Sequence, residues 1–392
     1  MKRLFTLLLI TTFTSPIFAF KVVGYLPSYR EYALGSIDFS KLTHVMVSFV
    51  NPDTAGNFSY SGDLTAIKIK AAANDCKVFI SIGGGGLSTE IEETYEKKTA
   101  TTFRSGFVSK LVSFAKIEGV DGIDVDLEGS MVQMATYDDF VQELIDSAHA
   151  SGIEVSAALA KWTGGSIDSE TIEKFDFINI MAYDLTGPWT GPGQHSPMSQ
   201  AQGNFNYWVL KGAKKENLVL GLPFYGWEFK DSGTDAKTWC QIVSEHSDNL
   251  NDDQVINDHI KLYYNGKKTI KDKIQFVKDN NAGGVMIWEV GQDCFNDNSL
   301  LNVVDEKVHE IANVEFSNQI AFNIFPNPVI GKMNIEVEGA FDFQILDISG
   351  KKIISDFNVK VSSINLEALN SRAYIFMITQ DGATSVTRLV KK

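Results

Sequence analysis

Four acidic residues fall within eight positions of the stretch GVDGIDVDLEG, residues 119–129. They alternate with aliphatic residues, as in a strand whose successive side chains point to opposite faces. Asp124, Asp126 and Glu128 would then share one face, whereas Asp121 faces the other way and is expected to be structural. Crowded carboxyl groups cannot all ionise, so at least one pKa rises and a proton is shared. A general acid must stay protonated near neutral pH, so the spacing predicts acid–base catalysis, with Glu128 at the strand end.

Three other interpretations of this stretch remain open. The acids could form the hydrated face of an antiparallel strand, or three carboxyl groups could ligate magnesium or another hard cation. The order DVDLEG also imitates the start of an EF-hand calcium loop, but Ala135 stands at the twelfth position, where a bidentate glutamate is needed. We predict no metal at this site and no cofactor.

Motifs for other common chemistries do not occur in the sequence. The glycine-rich run SIGGGG at residues 81–86 is not followed by the Lys-Ser/Thr pair of a phosphate-binding loop. The six histidines show no zinc spacing, and there is no GxSxG nucleophile elbow. The net charge of −14 disfavours nucleic acid and anionic membranes as partners.

The elements that would position the acids are eight short, mostly apolar runs, typical of parallel strands covered on both faces. They comprise residues 20–26, 43–50, 77–83, 119–127, 153–159, 175–183, 217–224 and 283–290. Helical patterns lie between many of them, at residues 100–118, 136–152 and 268–280, with Thr136 as a predicted N-cap. Eight strands with crossovers predict an α/β fold, a (β/α)8 TIM barrel over residues 20–312. An open, doubly wound sheet is the alternative, but the glycine-rich turn usual after its first strand is replaced by GYLPSYR.

The two ends of the sequence differ in character from this region. Residues 1–19 have a basic start and an apolar run, which predict a secretory signal peptide cut after Ala19, with a membrane anchor as the alternative. Residues 313–321 form a polar linker, and residues 322–392 contain short alternating strands separated by turn signals. This pattern predicts a small, all-β C-terminal sandwich.

The acidic stretch resembles the DxxDxDxE signature of the family 18 glycoside hydrolases, the chitinases and their relatives. Three further stretches resemble motifs of that family in the right order: SIGGGG, the MAYD of residues 181–184, and GVMIWEV, which contains Trp288. The first predicted strand, VVGYLPSY, is also typical of the family. The resemblance covers residues 21–312 and implies the same barrel fold.

The resemblance implies a role for each matched residue. Glu128 would protonate the glycosidic oxygen, while the 2-acetamido group of the substrate attacks the anomeric carbon in place of a second carboxylate. Asp126 would orient that acetamido group and Asp124 would share a proton with Asp126. Tyr183 would donate its hydroxyl to the acetamido oxygen. The other matched residues are expected to line the sugar site: Trp288, Asp184, Met181 and Gly84.

Aromatic residues near predicted strand ends could extend the sugar site. Three of them stand at the ends themselves, with core packing as the alternative: Tyr25, Phe49 and Tyr225. Four tryptophans in or beside the predicted top-face loops could stack on sugar rings or be ordinary half-buried side chains: Trp162, Trp189, Trp227 and Trp239.

The connection between the seventh and eighth predicted strands, residues 225–282, is short for the α+β module that many members of the resembled family insert there. That module is predicted to be absent or vestigial, which would leave an open, shallow cleft. Cys240 in this connection and Cys294 beyond it could pair if their loops meet, with free thiols as the alternative.

The resemblance implies a chitinase that hydrolyses β-1,4 linkages between N-acetylglucosamine units of chitin or related oligosaccharides, and we expect it to be secreted and monomeric. An endo-β-N-acetylglucosaminidase acting on N-glycans is the alternative, although the intact MAYD motif favours a chitinase. A non-catalytic chitin-binding lectin is a further alternative, although Glu128 is present. The C-terminal residues, with FPNP, DISGK and a basic end, resemble the sorting domain of type IX secretion cargo. That resemblance implies export to the medium or cell surface, with a carbohydrate-binding sandwich as the alternative.

Overall fold

The structure is a computed structural model that describes residues 20–310, 320–347, 352–360, 363–380 and 383–392. Contacts divide the chain into two compact units, one within residues 1–310 and one within residues 311–392. The predicted signal peptide and most of the predicted linker lie outside the described residues. Among the helices that are described, none has the length and apolar character needed to cross a bilayer.

A closed barrel of eight parallel strands forms the centre of the first unit. The strands of this unit, numbered along the chain, are β1 Lys21–Pro27, β2 His44–Ser48, β3 Lys77–Gly83, β4 Gly122–Asp126, β5 Glu154–Leu159, β6 Phe177–Ile180, β7 Leu218–Pro223, β8 Tyr225–Lys230, β9 Gly233–Thr238, β10 Gln254–Ile256, β11 Lys261–Tyr263 and β12 Gly284–Trp288. The order around the barrel is β1, β12, β7, β6, β5, β4, β3, β2, which confirms the predicted TIM barrel. The predicted strand at residues 175–183 is too long, because the chain leaves the barrel after Ile180.

Helices occupy most connections between the barrel strands. They are α1 Leu64–Ala72, α2 Thr89–Thr99, α3 Thr101–Glu118, α4 Tyr137–His149, α5 Ser169–Lys174, α6 Met198–Leu210, α7 Trp239–Glu245, α8 Lys267–Asp279 and α9 Leu300–His309. The three predicted helices correspond to α3, α4 and α8. Gly119 follows α3 with a left-handed φ of 65° and belongs to the end of that helix. Strand β4 therefore begins at Gly122, later than the predicted start at residue 119. Thr136 occupies the predicted N-cap position of α4, but its hydroxyl bonds that of Thr99 (2.8 Å) and makes no capping bond to the helix backbone.

Two apolar layers hold the barrel together. The outer layer packs the strands against the helices and includes the aliphatic residues of the acidic stretch: Ile123, Val125 and Leu127. The inner layer fills the barrel with inward-facing side chains: Val23, Tyr25, Met46, Phe79, Ala158, Phe177, Val219 and Met286. Because the barrel interior is packed, a carboxyl group on its inner face depends on hydrogen bonds from the protein itself.

The connection between β7 and β12 contains a small antiparallel sheet with the strand order β10, β11, β8, β9. The sequence predicted an absent or a vestigial module, and the structure shows the vestigial alternative, a small sheet accompanied by one short helix, α7. Antiparallel strands need only tight turns between them, so a short connection suffices. Cys240 and Cys294 form a disulfide across 54 residues of sequence, and Cys76 is a buried free thiol.

The described part of the second unit consists of strands and irregular segments. The strands are β13 Asn323–Phe325, β14 Lys332–Glu336, β15 Phe341–Asp347, β16 Lys352–Val359, β17 Ser363–Asn365, β18 Arg372–Gln380 and β19 Ala383–Lys391. They form two antiparallel sheets, ordered β13, β14, β17 and β16, β15, β18, β19. Alternate residues of β15 are buried in one apolar core, as expected when one face of a sheet is covered. The predicted all-β C-terminal region is confirmed.

Candidate active site

Asp124 lies inside the barrel at the middle of β4, level with Ser81 on β3 and Ser156 on β5. Its side chain is completely buried and both carboxyl oxygens accept hydrogen bonds. The donors are Tyr25 Oη, Ser81 Oγ and Ser156 Oγ, each at 2.7 Å, and Asn179 Nδ2 at 3.4 Å. Burial raises the pKa of Asp124, and these hydrogen bonds oppose the rise. Asp124 is thus a buried carboxyl group whose hydrogen-bonding capacity is well used.

Asp126 ends β4 and faces the same interior, closer to the rim of the barrel. It is buried, and its Oδ1 atom accepts no hydrogen bond from the described residues. Burial raises the pKa of Asp126 well above its ordinary range, and the charges of Glu128 and Asp124 raise it further. The arrangement therefore allows Asp126 to carry a proton at neutral pH.

Glu128 follows β4 in extended backbone conformation, with φ −119° and ψ 163°. Its half-buried side chain lies beside Gly85 and borders the cleft. Burial raises the pKa of Glu128 to about 7, and the charge of Asp184 contributes to the rise. A substantial fraction of Glu128 is therefore protonated at neutral pH, as a general acid requires.

The glycine run after β3 lets the backbone approach the acidic strand closely. Gly83 has a φ of 96°, and a Cβ atom there would lie 2.3 Å from the carbonyl oxygen of Asp126. Gly84 donates its N–H to that carbonyl (2.7 Å), and its lack of a side chain leaves room for the ring of Phe49. The prediction that Gly84 lines the sugar site is corrected, since Gly84 supports the wall and Gly85 borders the cleft.

The chain after β6 presents Tyr183 and Asp184 at the same rim. Asp184 adopts a left-handed φ of 60°, and its Oδ1 accepts hydrogen bonds from Tyr225 Oη (2.6 Å) and Trp227 Nε1 (2.9 Å). The Tyr183 hydroxyl has one hydrogen-bond contact among the described residues, the sulfur of Met286 at 3.9 Å. That hydroxyl is available to a ligand, whereas Asp184 is held by its neighbours.

Asp126, Glu128, Tyr183 and Asp184 all border one cleft of about 1210 Å³. Trp288 lies in its apolar wall, stacked on Phe49 with 6.1 Å between ring centroids and edge-on to Tyr25 at 5.5 Å. The predicted residues that line the cleft are Tyr25, Phe49, Asp126, Glu128, Trp162, Met181, Tyr183, Asp184, Trp189 and Trp288. Aromatic surface beside a few polar groups suits a sugar, which has apolar ring faces and a polar edge.

Several residues singled out from the sequence lie off the cleft wall. Tyr225 and Trp227 stand behind it and hold Asp184, so their predicted place in the sugar site is corrected. Trp239 is 1% exposed and donates its indole N–H to a backbone carbonyl, which makes it a core residue. Asp121 accepts a backbone N–H of β3 (2.8 Å) at the exposed start of β4, which fits the expected structural role.

Other residues of the site were not anticipated from the sequence. Ser156 and Asn179 both donate to Asp124, and the available signal is that each is a polar residue within a largely apolar run. The other unanticipated residues of the wall are Tyr29, Gly85, Ala158, Ala160, Lys161, Leu185, Ser199, Gln200, Gly203 and Asn204. Four of them lie on loops, where no periodicity separates positions that face the cleft from positions that face solvent. Four others, Ser199, Gln200, Gly203 and Asn204, lie on one side of helix α6, and their helical spacing was an available signal.

One group of side chains among the described residues is close enough to share a metal ion: Glu228, Glu245 and His246. Lysines already pair with both glutamates, since Lys230 Nζ lies 2.7 Å from Glu228 and Lys237 Nζ lies 2.8 Å from Glu245. The group belongs to the small sheet and α7, and its members do not line the cleft. The carboxyl groups of β4 are separate from it.

Comparison with known proteins reveals a shared family. Residues 21–293 match the family described as glycosyl hydrolases family 18. The chain is similar to endochitinase 1 of Metarhizium anisopliae, with 26% identity over 71% of this chain and 82% of that protein. It is similar to the crystal structure of a GH18 chitinase from the chitin utilization locus of Flavobacterium johnsoniae, with 35% identity, a TM-score of 0.69, and coverage of 74% and 93% of the two chains. A chitinase structure from Bacteroides thetaiotaomicron is similar at 26% identity and a TM-score of 0.64, with coverage of 74% and 97%.

The C-terminal unit has a match of its own. Residues 323–392 match the family described as a secretion system C-terminal sorting domain. The two family matches thus account for most of both compact units. The chain therefore belongs to glycosyl hydrolase family 18, as a chitinase-like enzyme that carries a secretion sorting domain at its C-terminus.

Proposed function

We propose that this enzyme hydrolyses β-1,4 linkages between N-acetylglucosamine units of chitin, with retention of configuration and with the acetamido group of the substrate as nucleophile. The observation that supports this best is one cleft that contains Glu128, with its pKa raised to about 7, and Asp126, with a buried and unpartnered oxygen. A protonated acid and a carboxyl group in the cleft wall that can accept an amide N–H are the groups that this reaction needs. The similarity to proteins named as chitinases supports the substrate class.

In the first step Glu128 donates its proton to the glycosidic oxygen, and the bond from that oxygen to the anomeric carbon breaks. The acetamido carbonyl oxygen of the same sugar forms a new bond to the anomeric carbon, which gives a cyclic oxazolinium ion. Asp126 accepts the acetamido N–H and stabilises the positive charge that develops there. Tyr183 donates its hydroxyl to the acetamido oxygen and holds it in line with the anomeric carbon.

Asp124 supports this step from deeper in the barrel. Its hydrogen bonds favour its carboxylate form, and its negative charge contributes to the raised pKa of Asp126. Before substrate binds, the shared proton therefore resides mainly on Asp126. When the acetamido N–H reaches Asp126, the proton shifts toward Asp124 and the developing cation gains a negative neighbour.

In the second step water attacks the anomeric carbon from the side that the leaving group vacated. Glu128, ionised by the first step, accepts a proton from that water. The bond between the acetamido oxygen and the anomeric carbon breaks, so the acetamido group is restored. Two inversions at one carbon give net retention.

Aromatic surfaces would hold the sugar chain during both steps. Trp288, packed against Phe49, would lie beneath the distorted sugar, with Met181 beside it. Trp162 is 69% exposed and Trp189 is 59% exposed in the cleft wall, so their ring faces are accessible to further sugar units.

Product analysis on two substrates tests the proposal. The purified enzyme is incubated with the N-acetylglucosamine hexamer and, separately, with a high-mannose glycoprotein. Cleavage of the hexamer to products that NMR first detects as β-anomers is expected. Release of N-glycans without cleavage of the hexamer would assign the chain to the endo-β-N-acetylglucosaminidases, and α-anomeric first products would exclude the retaining mechanism.

We also infer that the enzyme is exported by type IX secretion, which would remove the C-terminal domain or use it for surface attachment. The match of residues 323–392 to a secretion sorting domain supports this. A variant that ends at residue 312 should accumulate inside cells that export the full chain. Equal export of both chains would contradict the inference.

A further inference from the structure

Lys273, on helix α8, is completely buried beside the barrel. Its Nζ donates to the carbonyl oxygen of Ser196 (2.9 Å), the hydroxyl of Ser196 (2.6 Å) and Oδ1 of Asn265 (2.6 Å). An ammonium group has three donors, so the three acceptors use all of them. Asp253 attracts Lys273 electrostatically, but its oxygens bond the N–H of Gly266 and the hydroxyl of Thr269.

A buried ammonium group without an ion-pair partner is unfavourable for folding. Burial lowers the pKa of Lys273 to about 7, which reflects that penalty. An apolar side chain of similar length would fill the same space without it. Stability therefore does not explain why a lysine occupies this position. Two of its three hydrogen bonds hold Ser196, which points to a role in positioning that residue.

The held residue, Ser196, is tied directly to the chain that follows β6. The Ser196 hydroxyl donates to the carbonyl oxygen of Ala182 (2.6 Å). The preceding residue, His195, accepts the N–H of Leu185 at its carbonyl oxygen (2.9 Å). These two bonds form a clasp on either side of residues 183–184, the turn that carries the proposed catalytic hydroxyl.

We propose that Lys273 is a positioning residue for this turn: through Ser196 it holds Tyr183 and Asp184 at the cleft. The inference rests on the proposed function, in which Tyr183 binds the acetamido oxygen and Asp184 helps to keep Glu128 protonated. Asp184 has a φ of 60°, in the left-handed region that aspartate adopts more readily than most residues. The two bonds of the clasp fix the backbone on either side of this left-handed residue.

His195 is the titratable group of the clasp that lies nearest to Asp184. His195 is buried, and its Nδ1 lies 3.5 Å from Asp184 Oδ1. Burial lowers the pKa of His195, Asp184 opposes that shift, and the positive charge of Lys273 adds to it. The ring of Tyr225 covers His195 at 5.0 Å between centroids. His195 therefore stays neutral near pH 7, and Asp184 retains its effect on the general acid.

The Lys273→Met variant removes the three hydrogen bonds and keeps the side-chain length. We expect kcat on a chromogenic N,N′-diacetylchitobioside to fall roughly 10- to 100-fold with KM nearly unchanged, because the turn is displaced from its working position. The alkaline limb of the pH profile should move to lower pH, because a displaced Asp184 raises the pKa of Glu128 less. Lys271→Met, at an exposed position of the same helix, is the matched control and should behave as the wild type.

The Ser196→Ala variant tests the same link from its other end. It should reproduce the kcat loss and the pH shift, and the double variant should lose no more than Lys273→Met alone, because both changes break one connection. If Lys273→Met does not fold, Ser196→Ala decides the question. A lower Tm with unchanged kcat and pH profile in the folded variants would overturn the proposal.

Glu128→Gln separates this inference from the proposed function. If Glu128→Gln retains activity, the assignment of the site itself fails. If Glu128→Gln is inactive while Lys273→Met and Ser196→Ala match the wild type, the site stands and the positioning role of Lys273 is refuted.

Discussion

Asp124, Asp126 and Glu128 form an acidic row along one face of β4 and its C-terminal end. The deeper part of this row and the part nearer the rim of the barrel differ in the hydrogen bonds that their carboxyl groups receive. Asp124 receives hydrogen bonds from β1, β3, β5 and β6, whereas Asp126, two residues further, has an oxygen without a donor among the described residues. A buried polar group left without a partner costs roughly 1–3 kcal/mol. The same residue type on one face of one strand therefore stabilises the barrel at one level and is left available for chemistry at the next.

The largest effect should come from the rim of that row. Glu128→Gln removes the proton donor and keeps the size and polarity of the side chain. Hydrolysis of the N-acetylglucosamine hexamer should slow by roughly 10²- to 10⁴-fold in kcat, the usual contribution of a general acid. Asp121→Asn changes the acid of the same motif that lies outside the cleft and should keep kcat near the wild-type value. Equal losses in both variants would remove the distinction between the two ends of the motif.

Stability should separate Asp124 from Asp126 directly. Asp124→Ala deprives four donors of their acceptor and should lower the free energy of unfolding by about 3 kcal/mol. Asp126→Ala removes a carboxyl oxygen that has no partner and should lower it by less than about 1 kcal/mol. Tryptophan fluorescence during urea unfolding reports on the barrel alone, since all 6 tryptophans precede residue 313. Equal destabilisation by the two substitutions would contradict the contrast.

The pH dependence of activity should show what sets the pKa of Glu128. The protonated form of Glu128 is active, so kcat/KM should fall as pH rises through about 7. Asp184→Asn removes a negative charge that raises this pKa, so the fall should move to lower pH, by about one unit. The exposed Asp297→Asn is the control and should leave the limb in place. A limb that stays fixed in Asp184→Asn would show that burial alone sets the pKa of Glu128.

The smallest effect is expected at the edge of the cleft. Trp162→Ala removes an exposed ring from the wall and should raise KM for the hexamer roughly 3- to 10-fold, with kcat little changed. Leu210→Ala also shortens an exposed apolar residue, at 87% exposure and outside the cleft lining, and should leave KM unchanged. An unchanged KM in Trp162→Ala would remove that ring from the sugar site.

The fold and the acidic row are largely determined by the sequence itself. Apolar runs of strand length mark β1 to β7 and β12, and period-two spacing places Asp124, Asp126 and Glu128 on one face. Both signals depend on residues close together in the chain. The end of a strand, as at Ile180, and the hydrogen bonds of a helix cap, as at Thr136, are less well determined, because tertiary contacts decide where strand pairing stops and which group the cap hydroxyl bonds.

The tertiary structure alone decides which side chains meet. Trp162 and Trp239 are equivalent candidates in the sequence, yet one borders the cleft and the other lies in the core. Asn179 reaches Asp124 across 55 positions and Lys273 reaches Ser196 across 77. On α8 the one available hint is that Lys273 falls in the buried stripe of the helix. The periodicity of a strand or helix can be read from residues that are close together in the chain. The burial, hydrogen-bond partners and pKa of a side chain depend instead on distant residues that only the closure of the barrel brings into contact.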